Sequence, residues 1–117
     1  MLVIALCQGA ALHFLNGKNG VKDFDIWYFY AEDHKVKYPY RWVKSVDSKL
    51  RKFGVSRRVD LLGRSIICKN VSSAKRHPLP IIREYLGEAR TQTAQQLAKK
   101  PVIGLWPKSI LGKVIWP

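Results

Sequence analysis

Three aspartates lie inside apolar segments that have the composition of β-strands. Asp23 and Asp25 are separated by one residue in the segment DFDIWYFY, and Asp60 lies in the segment RVDLLGRSIIC. Successive side chains of a strand point to opposite faces, so Asp23 and Asp25 project from one face. The chain has only 8 Asp and Glu residues, and aspartate is disfavoured in strands, so chance is a poor explanation for three such positions.

Neighbouring carboxylates repel each other unless a cationic side chain or a divalent metal neutralises them. If the strand that carries Asp60 pairs beside the strand that carries Asp23 and Asp25, the three carboxylates converge. Oxygen ligands of this kind suit Mg²⁺, which in turn holds a nucleoside triphosphate for displacement at phosphorus. The alternative is structural: Asp23 pairs with a nearby lysine and Asp60 with a nearby arginine, in ion pairs without a function.

Strands and short helices are expected around these acids. Apolar runs and turn residues predict strands at 2–7, 22–30 and 58–68. Helices are expected at 10–15, at 43–53 and, as one broken or two consecutive helices, at 77–100. The tail predicts a short strand and then a helical turn between Pro107 and Trp116. We therefore expect one α+β domain over 1–117, with a small mixed β-sheet flanked by helices.

The charge of the chain indicates the class of its partners. Lysine and arginine number 21 against 8 acids, which gives a net charge of +13. A positive field of this size favours phosphate-bearing partners, either nucleotides or nucleic acid. The hydrophobic fraction of 47% is enough for one core and excludes wholesale disorder.

Three features indicate a cytoplasmic protein without a membrane partner. No segment approaches the ~18 consecutive apolar residues of a membrane span. The N-terminal apolar run lacks the basic residues that begin a signal peptide. Cys7 and Cys68 each stand in a short apolar run, which predicts two buried thiols and no disulfide.

The order and spacing of these features resemble the nucleotidyltransferase superfamily that shares its palm with DNA polymerase β. That superfamily has a strand, a Gly-Gly or Gly-Ser pair that opens a helix, and an Asp-x-Asp or Asp-x-Glu pair about a dozen residues later. A third acid follows in an apolar strand. This chain has QGAALHFL, DFDI and RVDLL in that order, with the twelve residues 11–22 before DFDI. The match covers roughly the first half of the chain.

The resemblance implies a nucleotidyltransferase-like domain that uses Mg²⁺ to transfer a nucleoside monophosphate from a nucleoside triphosphate to a hydroxyl acceptor. It implies that Asp23 and Asp25 bind the metal, and that Asp60 completes the site and helps to activate the acceptor. The candidate contacts to the nucleotide are Gly9, Ala10 and Lys22.

The chain departs from the family pattern at several points. Position 10 is Ala where the family has Gly or Ser, and position 8 is Gln where an apolar residue is usual. The chain begins with the first strand, without the helix that commonly precedes it. The resemblance therefore leaves one wall of the nucleotide pocket open or assigns it to a second subunit of a homo-oligomer.

The segment KVKYPYRW mixes cations with aromatic rings and has two interpretations. In the first interpretation the cations contact phosphates and the rings stack on bases. In the second the rings pack on the sheet and the cations remain in solvent. The candidate nucleic-acid contacts are Lys35, Lys37, Tyr38, Arg41 and Trp42. The same features fit a second function, a non-catalytic basic module that binds nucleic acid or protein on the same fold.

Overall fold

The computed structural model describes residues 1–17, 23–37, 40–47 and 58–117. Within these residues six strands form one mixed sheet. In chain order the strands are β1 (Val3–Cys7), β2 (Asp23–Asp33), β3 (Arg41–Asp47), β4 (Arg58–Cys68), β5 (Val102–Trp106) and β6 (Val114–Trp116). Their order across the sheet is β3-β4-β2-β1-β5-β6. Strands β2 and β4 run parallel, and the other neighbouring pairs run antiparallel.

Short helices connect or cover these strands. They are α1 (Gln8–Asn16), α2 (Val71–Arg76), α3 (Pro78–Glu88) and α4 (Gln92–Leu97). Helix α1 contacts β1, β2 and β5, and it ends at Gly17, whose φ of 67° is the left-handed conformation that glycine adopts without strain. A short 3-10 helix, Lys108–Ile110, separates β5 from β6.

The main core lies between one face of the sheet and helices α2, α3 and α4. Alternate residues of β1 and β2 are buried on this face, and Phe29 contacts both Trp27 and Tyr85 at ring-centroid distances of 6.0 and 6.1 Å. Leu86 of α3 and the fully buried Phe29 belong to the same cluster. Burying a side chain of this size contributes about 1.5–3 kcal/mol to stability, so this cluster fixes the sheet beneath the helices.

The mixed α+β class and the strands that carry the aspartates are confirmed. Strand β4 has the predicted bounds, and β2 extends three residues beyond the predicted end at Tyr30. The helix expected at 43–53 is wrong where the structure describes it, because 41–47 form strand β3. Pairing with the exposed edge of β4 decides this element, and such a nonlocal contact overrides weak local helix propensity. Residues 48–53 of that expectation lie outside the described residues.

The C-terminal helices also differ from the prediction in their limits. The segment 77–100 contains two helices, and the break falls at Ala89, whose φ is +48°. Helix α2 was not expected, although Asn70 supplies its N-cap by accepting a 2.9 Å hydrogen bond from the Ser73 N–H. The predicted turn before Trp116 is the 3-10 helix, and β6 follows it as an additional strand.

Candidate active site

The parallel pairing of β2 and β4 brings two of the three predicted acids together. Asp25 lies directly opposite Asp60 in the register, and residues opposite each other in neighbouring strands project from the same face. The condition for convergence of the acids, that the Asp60 strand pairs beside the Asp25 strand, is therefore met. Asp23 begins the same strand opposite Arg58, and its side chain lies outside the described residues.

The acids belong to a row of four residues that crosses the sheet. Cys7 of β1 lies opposite Asp25, and Ser45 of β3 lies opposite Asp60. The Ser45 hydroxyl donates a 2.6 Å hydrogen bond to Oδ1 of Asp60, which fixes the orientation of that carboxylate. The row is exposed at Ser45, half-buried at both acids and fully buried at Cys7. We call Ser45, Asp60, Asp25 and Cys7 the acid row.

The buried end of the acid row has an unusual thiol. Burial raises the pKa of Cys7 above its ordinary value, and the negative charge of Asp25 raises it further. The thiol is therefore neutral at physiological pH and is neither a nucleophile nor a metal ligand in this state. Cys68 is also buried and reduced, so the predicted pair of buried thiols is confirmed.

Helix α1 begins immediately beside the acid row. Cys7, which pairs with Asp25, is also the N-cap residue of α1, and its side chain makes no capping hydrogen bond. Gln8 follows with a φ of +62°, a conformation that a non-glycine residue adopts at a cost of about 1–3 kcal/mol. Because of this conformation of Gln8, α1 follows β1 directly, without an intervening loop. The first N–H groups of α1 therefore lie next to the carboxylates.

The two small residues of this turn play different parts. A Cβ added to Gly9 would meet no atom of the described residues within 4 Å, so packing against them does not explain the glycine. Ala10 is buried, with its methyl group directed into the protein. A family member with serine here carries a hydroxyl that this chain lacks. Any contact from Ala10 to a nucleotide is therefore made by its backbone N–H.

The donor set at the acid row fits a hard divalent cation. Asp25 and Asp60 supply adjacent carboxylates, and oxygen ligands of this kind are those that Mg²⁺ prefers. Among the described side chains, which do not include that of Asp23, no group of three or more His, Cys, Asp or Glu residues is arranged to hold a metal. Among the three predicted acids, Asp23 is therefore the remaining candidate for the third ligand.

The basic residues predicted to bind nucleic acid are not gathered at the acids. Lys35 and Lys37 are exposed in the turn that follows β2, whose last residue, Asp33, accepts a 2.9 Å hydrogen bond from the Lys35 N–H. Asp33 lies eight residues along β2 from Asp25, a distance of about 26 Å in a strand. The turn does not cover the acid row. Of the other candidates, Lys22 and Tyr38 lie outside the described residues.

Trp42 packs on the face of the sheet opposite to the acids. It lies across from Gly63 in the register, and a Cβ on Gly63 would overlap its indole ring. Its ring centroid is 5.5 Å from that of Tyr28. The interpretation in which the aromatic residues pack on the sheet therefore describes Trp42, and we call Tyr28, Trp42 and Gly63 the aromatic face.

Arg41 does lie on the same face as the acid row, two rows away. It is opposite Arg64 in the pairing of β3 with β4, one of the nearby arginines that the sequence suggested only as ion-pair partners of Asp60. Arg64 follows Asp60 by four residues in the same strand, so strict alternation alone would have placed both on one face. Ser45 offered no such signal, because its segment was expected to be helical.

Comparison with protein-family models finds no match for this chain, and comparisons with curated proteins and with solved structures find none either. Across the described part of the chain, no helix is both long and apolar enough to span a membrane.

Proposed function

We propose that the chain is a Mg²⁺-dependent nucleotidyltransferase that passes a nucleoside monophosphate from a nucleoside triphosphate to a hydroxyl of an acceptor. One observation carries the proposal: Asp25 and Asp60 stand side by side in the register of β2 and β4, next to the first turn of α1. This supports the nucleotidyltransferase-like fold that the sequence resemblance implies, with metal ligands beside a phosphate-binding turn.

Each residue of the site has a role in this scheme. Asp25 and Asp60, together with Asp23 from the same strand as Asp25, would hold the metal. Bound Mg²⁺ would neutralise charge on the reacting phosphate and on the pyrophosphate that leaves. The first N–H groups of α1 point outward from the helix, and such groups bind phosphate oxygens. The absence of a side chain at Gly9, where a Cβ would meet no atom of the described residues within 4 Å, would let the triphosphate approach the backbone closely.

Asp60 would also help to remove the proton from the acceptor hydroxyl. A general base must be held at hydrogen-bond distance from the proton that it takes. The bond from Ser45 to Oδ1 holds the Asp60 carboxylate in one orientation relative to the sheet. Ser45 is therefore a positioning residue for the acid that meets the acceptor.

A second candidate function, a basic module that binds nucleic acid without catalysis, is favoured by a different observation. Lys35 and Lys37 are exposed at the end of β2 remote from the acids, where they would contact phosphates without meeting a metal site. In that case affinity for nucleic acid would fall steeply with salt and would not depend on Mg²⁺.

The decisive experiment measures binding of nucleoside triphosphates by isothermal titration calorimetry with and without Mg²⁺. We expect Asp25→Asn and Asp60→Asn to lower Mg²⁺-dependent affinity by at least about tenfold while the variants stay folded, because each removes a ligand and relieves repulsion between neighbouring carboxylates. Asp33→Asn is the matched control, since it removes one exposed carboxylate from the far end of the same strand.

Two outcomes would overturn the proposed function. If wild-type protein binds no nucleoside triphosphate in the presence of Mg²⁺, the site is not a nucleotidyltransferase site. If both asparagine variants unfold under conditions where Asp33→Asn remains folded, the two acids are structural ion-pair partners. Circular dichroism on the same samples separates these cases.

A further inference from the structure

Two arginines face each other on the acid-bearing face of the sheet. Arg41 of β3 and Arg64 of β4 are opposite in the antiparallel register. They share a face with Ser45 and Asp60. Arg41 lies four residues before Ser45 on β3, Arg64 lies four residues after Asp60 on β4, and residues separated by an even number of positions in a strand project from the same face. Like charges directly opposite in a sheet destabilise the pair unless an anion lies between them.

The protein does not neutralise this pair within the described residues. Neither arginine forms an ion pair with a carboxylate described in the structure, where ion pairs join His34 to Asp33 and Arg90 to Glu88. Arg64 donates from Nη1 to the Thr93 hydroxyl at 3.3 Å, while its Nε is buried and has no hydrogen-bond partner there. A buried cationic donor without a partner is costly, and the chain retains this cost at Arg64.

The arginine pair lies on the face of the sheet that α3 covers, where Tyr85 of α3 contacts Phe29. Burial raises the pKa of Tyr85, whereas its hydrogen bond to Thr91 and the positive charges of Arg64 and Arg41 act in the opposite direction. The positive charges of both arginines thus act on Tyr85, which belongs to α3. Arg64 and Tyr85 also line a cleft of about 770 Å³ between β4 and α3, whose walls carry charges of both signs from Glu84, Glu88, Lys69 and Arg90.

An apolar row separates the arginines from the acids. Val43 and Leu62 are opposite each other, and both lie between the arginine pair and the pair formed by Ser45 and Asp60. Val43 is 58% exposed, so this part of the face is open to solvent. The distance from Asp60 to Arg64 along β4 is about 13 Å, which a small organic molecule spans.

We propose that Arg41 and Arg64 bind a phosphomonoester group of the acceptor, with the acceptor hydroxyl placed at Asp60. The assignment to the acceptor rests on the proposed function. In that function the triphosphate is held at α1 and Asp25, and the nucleoside itself carries no further anion, so a second anion site receives the other substrate.

A phosphomonoester fits the pair better than other anions. Two guanidinium groups supply two positive charges and several donors in fixed planes, which match the charge and the oxygens of a phosphate dianion. A nucleic-acid strand that ran from the arginines towards Asp60 would need further cations, whereas the next row in that direction is formed by Val43 and Leu62.

The test titrates inorganic phosphate into ¹⁵N-labelled wild-type protein and into two variants at constant ionic strength, without Mg²⁺ or nucleotide. Arg41→Gln should weaken phosphate binding by about tenfold or more, because it removes a charge-assisted contact. Lys44→Gln is the matched control, since Lys44 is exposed on the same strand but lies opposite Leu61 and points to the other face. It should change the affinity by less than about twofold.

A second variant protects the test against misfolding. Arg64→Lys keeps the positive charge but loses the planar fork, and it should weaken phosphate binding while the thermal unfolding midpoint stays near that of wild type. Equal losses from Arg41→Gln and Lys44→Gln would overturn the proposal, because the net charge would then account for binding. No loss from Arg41→Gln would overturn it as well.

The source of the phosphate is tested with a short single-stranded oligonucleotide that lacks a terminal phosphate. We expect it to leave the resonances of Arg41 and Arg64 unchanged while inorganic phosphate shifts them. Stronger binding of the oligonucleotide at these arginines would replace the small acceptor with nucleic acid and overturn the proposal.

Failure of this inference and failure of the proposed function give different results. If Mg²⁺-dependent nucleotide binding is present and Arg41→Gln leaves phosphate affinity intact, the proposed function stands and the acceptor site is wrong. If phosphate binds at the arginines but no Mg²⁺-dependent nucleotide binding occurs, the anion site remains while its assignment to an acceptor fails with the proposed function.

Discussion

The two faces of the β3–β4 pair are built from alternate residues of the same strands but have opposite character. On the aromatic face Trp42 packs into the space that Gly63 leaves and contacts Tyr28. On the other face Ser45 donates a hydrogen bond to Asp60, and Arg41 lies opposite Arg64. One face is thus filled by aromatic packing, whereas the other presents charged and polar groups, among which the buried Nε of Arg64 has no hydrogen-bond partner in the described residues.

This difference separates residues that stabilise the sheet from residues that are available to a ligand. The basic and aromatic residues of KVKYPYRW are accordingly not one functional unit. Trp42 belongs to the packing, Arg41 to the acid-bearing face, and Lys35 and Lys37 to the turn after β2.

The largest expected effect comes from breaking the aromatic face. Gly63→Val should destabilise the protein by about 2–3 kcal/mol in urea denaturation, because the new side chain overlaps the Trp42 ring. Gly87→Ala is the control, since a Cβ there makes only an ordinary contact with Trp116 at 3.6 Å. It should be neutral or stabilise by up to about 1 kcal/mol. Trp42→Leu in the Gly63→Val background should recover part of the loss, and a strictly additive result would contradict the overlap.

A smaller effect is expected at the buried end of the acid row, where Cys7 has a pKa raised from its ordinary value of 9.0 by burial and by Asp25. Above about pH 9 the unfolded chain loses the Cys7 proton, whereas the native thiol keeps it. The contribution of Cys7 to the free energy of unfolding is therefore complete below about pH 9 and declines by about 1.4 kcal/mol for each pH unit above it. Denaturation curves at about pH 8 and about pH 10 measure this loss.

The control for this alkaline loss is Cys7→Ala. It should remove the part of the pH dependence that belongs to Cys7 and retain the part from Cys68 and Tyr85, whose pKa values burial also raises. An unchanged loss of stability between the two pH values in Cys7→Ala would show that the Cys7 thiol is not desolvated in solution.

The smallest effect on stability is expected for the exposed turn after β2. Replacing Lys35 and Lys37 by Ala should change the free energy of unfolding by less than about 0.5 kcal/mol. If this turn binds nucleic acid, the logarithmic salt slope for a single strand should fall by roughly 1.4 units, about 0.7 for each lost contact. Mg²⁺-dependent nucleotide binding should not change, because the turn is remote from Asp25.

The matched control for that double variant replaces Lys99 and Lys100, which are exposed after α4, by Ala. Equal salt slopes for the two double variants would show that the charge acts diffusely. The turn after β2 would then be ordinary solvated surface, and the prediction that it binds nucleic acid would be wrong.

The sequence by itself determined the strands that carry the acids and the face from which Asp25 projects within β2. Both follow from local rules, since apolar runs favour strands and alternate side chains share a face. Burial of Cys7 and Cys68 followed from their apolar neighbours in the same way. The position of Arg64 on the face of Asp60 was available from the same alternation.

Only the tertiary structure decided which residues meet across strands. The pairing of Asp25 with Asp60 depends on a parallel register between segments that a long connection separates, and a slip of one residue would turn one of the two acids to the other face. Residues 41–47 form a strand because β4 offers them an edge, and this pairing creates both the contact of Ser45 with Asp60 and the opposition of Arg41 and Arg64. Register is set by the sum of nonlocal contacts, which no local pattern of residues contains.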